Sequence, residues 1–249
     1  MGITRGNITT NIIKKGLVFN MDAANRGSTI PSTSTTTSID TINKITGTYT
    51  NGPTLQLTKP ISFNLDGTDD YINCGDSNIF SFGDGSNDSP FSLNVWVNWD
   101  DLDNYTCLIS KDADGSNREW ALIENGGDKI RIFIKNQGGS SQQSIDGTTT
   151  YSTGQWYNIT ATYDGRGGNT AYQGLSLYTN GNLETVSANQ ASTYTAMSNT
   201  SANLEIGRYS NNNTYCINAQ IGSIQIYNRA LSASEILFNY NGLKSRFGL

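Results

Sequence analysis

The sequence predicts an all-β fold in which two antiparallel sheets pack as a sandwich, closed by a short C-terminal capping helix. Three observations carry that expectation. Short stretches of apolar and polar alternation recur along the chain, the period expected of half-buried strands. Between them Gly, Asn, Asp and Ser cluster as turn signals. Hydrophobic residues supply only 35% of the 249 positions, which suits strands with one polar face and many turns. Sandwiches of this length are routinely one domain.

Residues 1–16, MGITRGNITTNIIKKG, hold too little apolar matter to fold alone and read as an N-terminal arm that orders on binding. The sandwich domain is placed at residues 17–249. Its first strand is Leu17 to Asp22, where Leu17, Phe19 and Met21 share the more apolar face. The stretch GSTIPSTSTTTSIDT reads as a long surface loop within the domain. Ile61 to Leu65 alternates again, DGTDDYINCG is a turn and a short strand, and FGDGSNDSP is a loop. Phe91 to Trp99 is the clearest strand. Phe91, Leu93, Val95, Val97 and Trp99 form its core face, and Ser92, Asn94, Trp96 and Asn98 the other.

Further strands follow at Leu108 to Lys111, Trp120 to Glu124, Ile130 to Lys135, Trp156 to Tyr163 and Leu175 to Thr179. Asn180-Gly181 then suits the positive φ angles of a tight hairpin. Leu204 to Tyr209 and Ile221 to Tyr227 complete the set. Only then does helical spacing appear. Ser232 and Glu235 form a capping box, Ile236, Leu237 and Tyr240 fall on one helical face, and Gly242 is the expected C-terminal stop. Such a helix covers an open part of the sandwich, with Ile236 and Leu237 as packing residues.

Composition excludes several classes of function. The net charge is −5 and the 16 Lys and Arg are scattered, so there is no electrostatic footprint for nucleic acid. No window approaches a membrane span, and the N-terminus shows no apolar run of signal-peptide length. Three cysteines, Cys74, Cys107 and Cys216, have neither pairing nor metal-ligand spacing, which suggests free thiols and assembly in a reducing cytosol. The absence of histidine removes Ser-His-Asp and Cys-His catalysis and every imidazole metal site.

The motifs LDGTDDYINCG, FSLNVWVNW, GQWYNITATYDG, LSLYTNGNL, LEIGR and IQIYNRALSASEI, in this order, resemble the laminin-G-like domains of the concanavalin A-like lectin/glucanase superfamily. The resemblance implies a two-sheet antiparallel jelly-roll sandwich. The opening GLVFNMDAANRGS and the ending YNRALSASEILFNYNGLKSRFG are similar to those of laminin-G-like structural proteins of tailed bacteriophages. That likeness implies a non-catalytic virion surface component, a capsid decoration or fibre protein assembled in the host cytoplasm. Its expected partners are other virion proteins and further copies of itself, with the RFGL tail on a neighbouring subunit, and host-surface glycans. The alternative class is a bacterial glycan-binding lectin module.

A glycoside hydrolase, the third class, needs two carboxyl groups on one face of a cleft. The superfamily's E-x-D-x-E strand is absent, and Glu119 and Glu124, the nearest pair among five glutamates, fall on opposite faces of a continuous strand. The expectation is therefore no enzyme. Glycan binding would use aromatic faces and planar polar groups outside the core. The candidates are Trp96, Asn98, Arg131, Phe133, Lys135, Tyr178, Asn180, Gln225 and Tyr227, which would meet on one surface if their strands are neighbours. The competing reading covers this face with the N-terminal loop or another subunit. Many relatives carry calcium, and Asp112 and Asp114 are the calcium candidates here; the competing reading of such loops is Asx turns that satisfy local amides. Relatives that bind calcium often begin the final strand with an acidic residue, where this chain has Gly222 and Ser223.

Overall fold

The computed structural model describes residues 11–30, 35–102, 105–191, 193–209 and 211–249. Its N-terminal part contributes β1 (Leu17–Asp22), β2 (Thr37–Ile39), β3 (Thr46–Thr50), β4 (Thr54–Gln56), β5 (Ser62–Asp66) and β6 (Tyr71–Asn73). The middle holds β7 (Phe91–Trp99), β8 (Tyr105–Asp112), β9 (Arg118–Asn125), β10 (Ile130–Lys135), β11 (Gln142–Gly147) and β12 (Trp156–Tyr163). Then come β13 (Leu175–Thr179), β14 (Asn182–Leu183), β15 (Val186–Gln190), β16 (Glu205–Ile206) and β17 (Asn218–Tyr227), and the chain ends in α1 (Ala233–Leu243).

The strands make two antiparallel sheets. The first runs β14-β13-β12-β7-β17-β5-β4, and the second runs β15-β11-β10-β9-β8-β16-β6-β3-β2. In the first sheet β5 and β1 share one edge of β17 end to end, with a break in the β17–β7 register between Ile221 and Ser223. Neighbours distant in sequence, such as β7 beside β17, give the jelly-roll connectivity that the motif series implied. Between the sheets lies one apolar layer in which Leu93, Val95 and Trp99 of β7 belong to the same cluster as Trp120 and Leu122 of β9 and Ile132 of β10. Each such side chain contributes about 1.5–3 kcal/mol on burial.

The strands that alternation does not reveal are the polar ones. TGTYT, TLQ, QQSIDG and VSANQ form β3, β4, β11 and β15, at or near sheet edges, where ladder hydrogen bonds hold them with few apolar anchors, Ile145 of β11 in the core and Tyr49 and Leu55 against it. β2 falls inside the stretch expected to be a loop; residues 31–34 of that stretch lie outside the described residues. The strand expected over Leu204 to Tyr209 shrinks to Glu205–Ile206. Gly207 turns the backbone to φ 92°, and a Cβ there would sit 2.2 Å from a Leu65 methyl. The Asn180-Gly181 hairpin is as expected, with φ of 52° and 79°.

A second apolar layer covers the first sheet from outside. Every residue of β7 is buried, the face carrying Ser92, Asn94, Trp96 and Asn98 included, because α1 and the residues after it lie across it. Ser232 and Glu235 close the capping box, and Arg229 holds the Glu235 carboxylate at 2.7 and 2.8 Å. The Arg229 hydrogen bonds, with the Ser232 amide, keep that carboxyl down at about 2.

Gly242 does not stop the helix. Helical backbone continues through it into a 3-10 turn, Lys244–Phe247, and the left-handed stop is Gly248 at φ 79°. The reason for glycine at 242 is instead close approach, since a Cβ would lie 2.3 Å from the Asn11 carbonyl oxygen. Residues 11–16 therefore run against the helix: the Ile13 amide donates to Asn239 Oδ1 at 2.7 Å, and the Tyr227 hydroxyl donates to the Ile13 carbonyl at 3.1 Å. Ile236 packs inward as expected, whereas Leu237 faces solvent.

Candidate functional site

The predicted binding residues fall on two surfaces, not one. Trp96, Asn98, Tyr178, Gln225 and Tyr227 belong to the first sheet, and Arg131, Phe133 and Lys135 to β10 of the second. The sandwich core separates the two groups, because β7 and β10 are not neighbours.

The first group is core. Trp96 is 0% exposed and stacks on Phe247 at 4.2 Å and 12° between planes, with Tyr240 at 5.8 Å on the same indole. Tyr178 and Tyr227 belong to that cluster with Leu231, Ile236 and Leu243. Gln225 sits in a buried amide ladder: its Oε1 accepts from Asn94 Nδ2 at 2.5 Å and its Nε2 donates to Asn20 Oδ1 at 3.1 Å, while Asn158 and Thr160 both donate to Asn94 Oδ1. Asn98 is buried as well. Asn180 holds the hairpin, its Oδ1 accepting from the Asn158 amide at 2.9 Å. The face is covered, as the competing reading held, by the chain's own C-terminal segment together with Ile12 and Ile13 of the N-terminal arm. The RFGL tail is likewise spent on its own sandwich, with Phe247 against Trp96 and Trp156.

The second group lies on the outer side of the second sheet, with Arg131 and Lys135 half-buried and Phe133 buried at 3% exposure beneath aromatic rings not among the predicted residues. Lys135 Nζ lies 4.1 Å over the Phe133 ring and 5.7 Å from the Tyr209 ring, and Tyr209 stacks on Tyr215 at 4.4 Å. Arg131 lies 5.9 Å over the Tyr105 ring and makes two hydrogen bonds to Asp146, at 2.5 and 2.9 Å. Tyr105 is 43% exposed, and Tyr209 and Tyr215 are half-buried. The signal that would have found them is YSNNNTY, two tyrosines bracketing an Asn-rich turn beside a strand end. Burial pushes the Tyr209 hydroxyl up, so it stays a neutral donor, while burial pulls the Lys135 ammonium down against the pull of Asp112. The cations of this face are thus already matched by carboxylates, and the surface is a neutral one of aromatic faces and planar polar groups.

The calcium candidates do not fit calcium. Asp112 is buried, with Arg118 at 2.6 Å on Oδ1 and Lys135 at 3.5 Å from Oδ2, and Asp114 points to the same Arg118 at 3.4 Å. Two cations already stand where an ion would need open oxygens. Glycine at 222 has its own cause: a Cβ there would meet the Phe247 ring at 2.4 Å. In the neighbouring FGDGSNDSP loop, Asp84 Oδ1 caps the amides of Ser86 and Asn87 as an Asx turn. Among the described residues, a group of carboxylates with oxygens within 4.8 Å of one another is Asp66, Asp69 and Asp70. Burial, and then the Asp66 charge, push Asp70 up to about 6.

Comparison with solved structures gives the same fold at low identity. The binding domain of Paraclostridial Mosquitocidal Protein 1 superposes with a TM-score of 0.63 at 17% identity, over 91% of this chain and 52% of that one. The binding domain of botulinum neurotoxin serotype G gives 0.62 at 18% identity, over 90% and 50%. A Trypanosoma rangeli sialidase, solved with 2,3-difluorosialic acid as a covalent intermediate, gives 0.60 at 16%, over 94% and 34%. The chain thus spans about half of the toxin binding domains and about a third of the sialidase. None of the curated proteins matches the sequence. A laminin G-like family model matches residues 66–237, most of the sandwich, and the chain belongs to the concanavalin A-like lectin/glucanases superfamily.

Proposed function

We propose that the protein is a non-catalytic, carbohydrate-binding lectin-like module whose glycan surface is the outer face of the second sheet around Tyr105, Arg131, Phe133, Lys135, Tyr209 and Tyr215. The observation that carries this reading is the Tyr209–Tyr215 stack beside Lys135 and Phe133. The rings of Tyr105, Tyr209 and Tyr215 are partly accessible there, over a Phe133 ring that is itself buried, while Trp96, Tyr178 and Tyr227 of the first sheet are buried. A pyranose presents an apolar C–H face to such rings and hydroxyls to the polar groups around them, and aromatic anchors dominate binding energy at recognition surfaces. The fold neighbours support the reading, since several are named binding or receptor-binding domains. Glu119 and Glu124, the closest glutamates in sequence, are both buried and engaged locally, Glu119 by Lys111 and Thr200 and Glu124 by the amides of Gly126 and Asp128. Both side chains are wholly buried, so a substrate reaches neither. The test is a glycan array on the intact protein. Binding to one class of glycan, weakened at least about tenfold by Tyr215→Ala or Tyr105→Ala, which is about 1.4 kcal/mol, supports it; glycan binding that neither variant alters, or none at all, overturns it.

A place on a tailed-phage particle is the finer proposal, and it rests on the resemblance read in the sequence of the chain's two ends alone. Residues 11–16 and the segment after α1 pack on the chain's own sandwich, so docking to other virion proteins or to further copies falls to other surfaces. Immunogold labelling of purified particles tests it: regular labelling supports the placement and its absence rejects it.

A further inference from the structure

We infer that a cleft where β7 begins and β17 ends is a second saccharide site, selective for an uncharged sugar ring. It shares no residue with the tyrosine surface and stands whether or not that surface binds glycan. The cleft holds about 330 Å³, at the small end of the range for ligand pockets. Its apolar floor is Val18, Ile79, Phe82 and Pro90, and its polar rim is Asn78, Ser81, Ser89 and Asn228. Among the described residues no charged side chain lines it.

The rim has the chemistry of a polyol partner. Asn78, Ser89 and Asn228 are exposed at the mouth, with Asn78 Oδ1 accepting from Asn199 Nδ2 at 3.0 Å, so two carboxamides and a hydroxyl offer donors and acceptors there. Ser81 is more specialised. Its Oγ lies 3.2 Å from Glu119 Oε1 and 3.0 Å from Asn199 Oδ1, both acceptors. One of these two acceptors takes the single hydroxyl proton, and the Ser81 oxygen meets a ligand as an acceptor for a sugar hydroxyl. Among the described residues an anion would find no cation on the lining, and the Glu119 carboxylate is buried behind Ser81.

The cleft is also built in advance. Phe82 stacks on Phe91 at 4.5 Å, and Trp120 Nε1 donates to the Phe80 carbonyl at 2.9 Å, fixing the floor to the core. On the rim side Asp88 accepts from the Tyr163 and Tyr194 hydroxyls at 2.7 and 2.8 Å and from the Met197 amide at 2.8 Å. A loop held at both ends loses little freedom when a ligand binds, which lowers the entropic cost of binding.

The experiment is an amide-resolved NMR titration of the full chain with the methyl glycosides of glucose, galactose, mannose and N-acetylglucosamine, and separately with N-acetylneuraminic acid. Saturating shifts of the Asn78 and Asn228 side-chain amides and of the Ser81 amide with at least one neutral glycoside are expected, with a Kd of about millimolar order. The Asn78→Ala, Asn228→Ala double variant should weaken binding at least tenfold, and Tyr215→Ala should leave these shifts in place. Ser89→Ala, an exposed single change, serves if the double variant unfolds, and should weaken binding severalfold. No saturating shift in the cleft, shifts confined to the Tyr209–Tyr215 loop, or a preference for the charged sugar would each overturn the inference. Loss of array binding by Tyr215→Ala reports on the other surface alone.

Discussion

The Trp96 indole and the Phe247 ring lie 4.2 Å apart and 12° from parallel, so the last turn of the chain is seated on the middle strand of the first sheet. Two residues 151 positions apart, 96 and 247, thereby turn what alternation marks as the polar face of a strand into a second core. Arg246 clamps the same turn by donating to Asp22 Oδ2 at 2.7 Å and to the Gly222 carbonyl at 3.1 Å.

Phe247→Ala removes a buried ring whose site cannot collapse between two tryptophans. The expected loss is about 3–5 kcal/mol, read by urea unfolding. A loss below about 1 kcal/mol would show that the C-terminal turn does not hold the outer layer.

Lys111 is fully buried with its ammonium 2.8 Å from Asp76 Oδ1, 2.6 Å from the Ala202 carbonyl and 3.4 Å from Glu119 Oε1. Burial pushes the Glu119 carboxyl up, and Lys111 is the main opposing influence. Lys111→Met therefore leaves a buried carboxylate uncompensated and should destabilise by about 3–5 kcal/mol. Adding Glu119→Gln should recover part of that loss, and a double-mutant cycle measures the coupling. Simple additivity would mean the two groups do not interact.

Glu124 is buried, its Oε1 accepts from the Gly126 and Asp128 amides at 2.6 and 3.0 Å, and its Oε2 has no partner among the described residues. Burial raises its pKa from 4.5 to about 7. Below the unfolded value the carboxyl is protonated in both states. As the pH climbs toward 7 the unfolded chain releases this proton first, so stability falls across that window and levels off above it. Glu124→Gln keeps the accepting oxygen and has no proton to lose. The melting temperature of the wild type should therefore fall relative to the variant between pH 4.5 and about 7. A difference that stays constant with pH would refute the raised pKa.

Gly242→Ala should destabilise the protein, although alanine in a helix is favoured over glycine by about 1 kcal/mol. The new Cβ would lie 2.3 Å from the Asn11 carbonyl, and backbone against backbone gives way only by displacing residues 11–13. Thermal melts decide the sign: a stabilised variant would show that the N-terminal segment yields freely.

Much of the fold is legible in the chain because strand alternation and turn chemistry are local. Phe91 to Trp99, Trp156 to Tyr163 and Leu175 to Thr179 form strands with the expected bounds, and the capping box of Ser232 and Glu235 forms as its spacing requires. The polar strands β3, β4, β11 and β15 are not legible, since ladder hydrogen bonds depend on which neighbour arrives. The site was legible only in part. Arg131, Phe133 and Lys135 were recognisable as one outer face, but their partners Tyr105, Tyr209 and Tyr215 come from a strand start and a loop that only the sheet order brings near.

Alternation by itself determined that one side of each strand faces a core, because successive Cβ atoms point to opposite faces whatever the strand's neighbours. It could not determine what lies on the other side. Trp96, Tyr178 and Tyr227 look like an exposed sugar platform in sequence, and only the tertiary structure decided that α1 and Phe247 bury them. The physical reason is that burial belongs to a surface shared by distant segments, while the alternation that predicts strands belongs to the backbone.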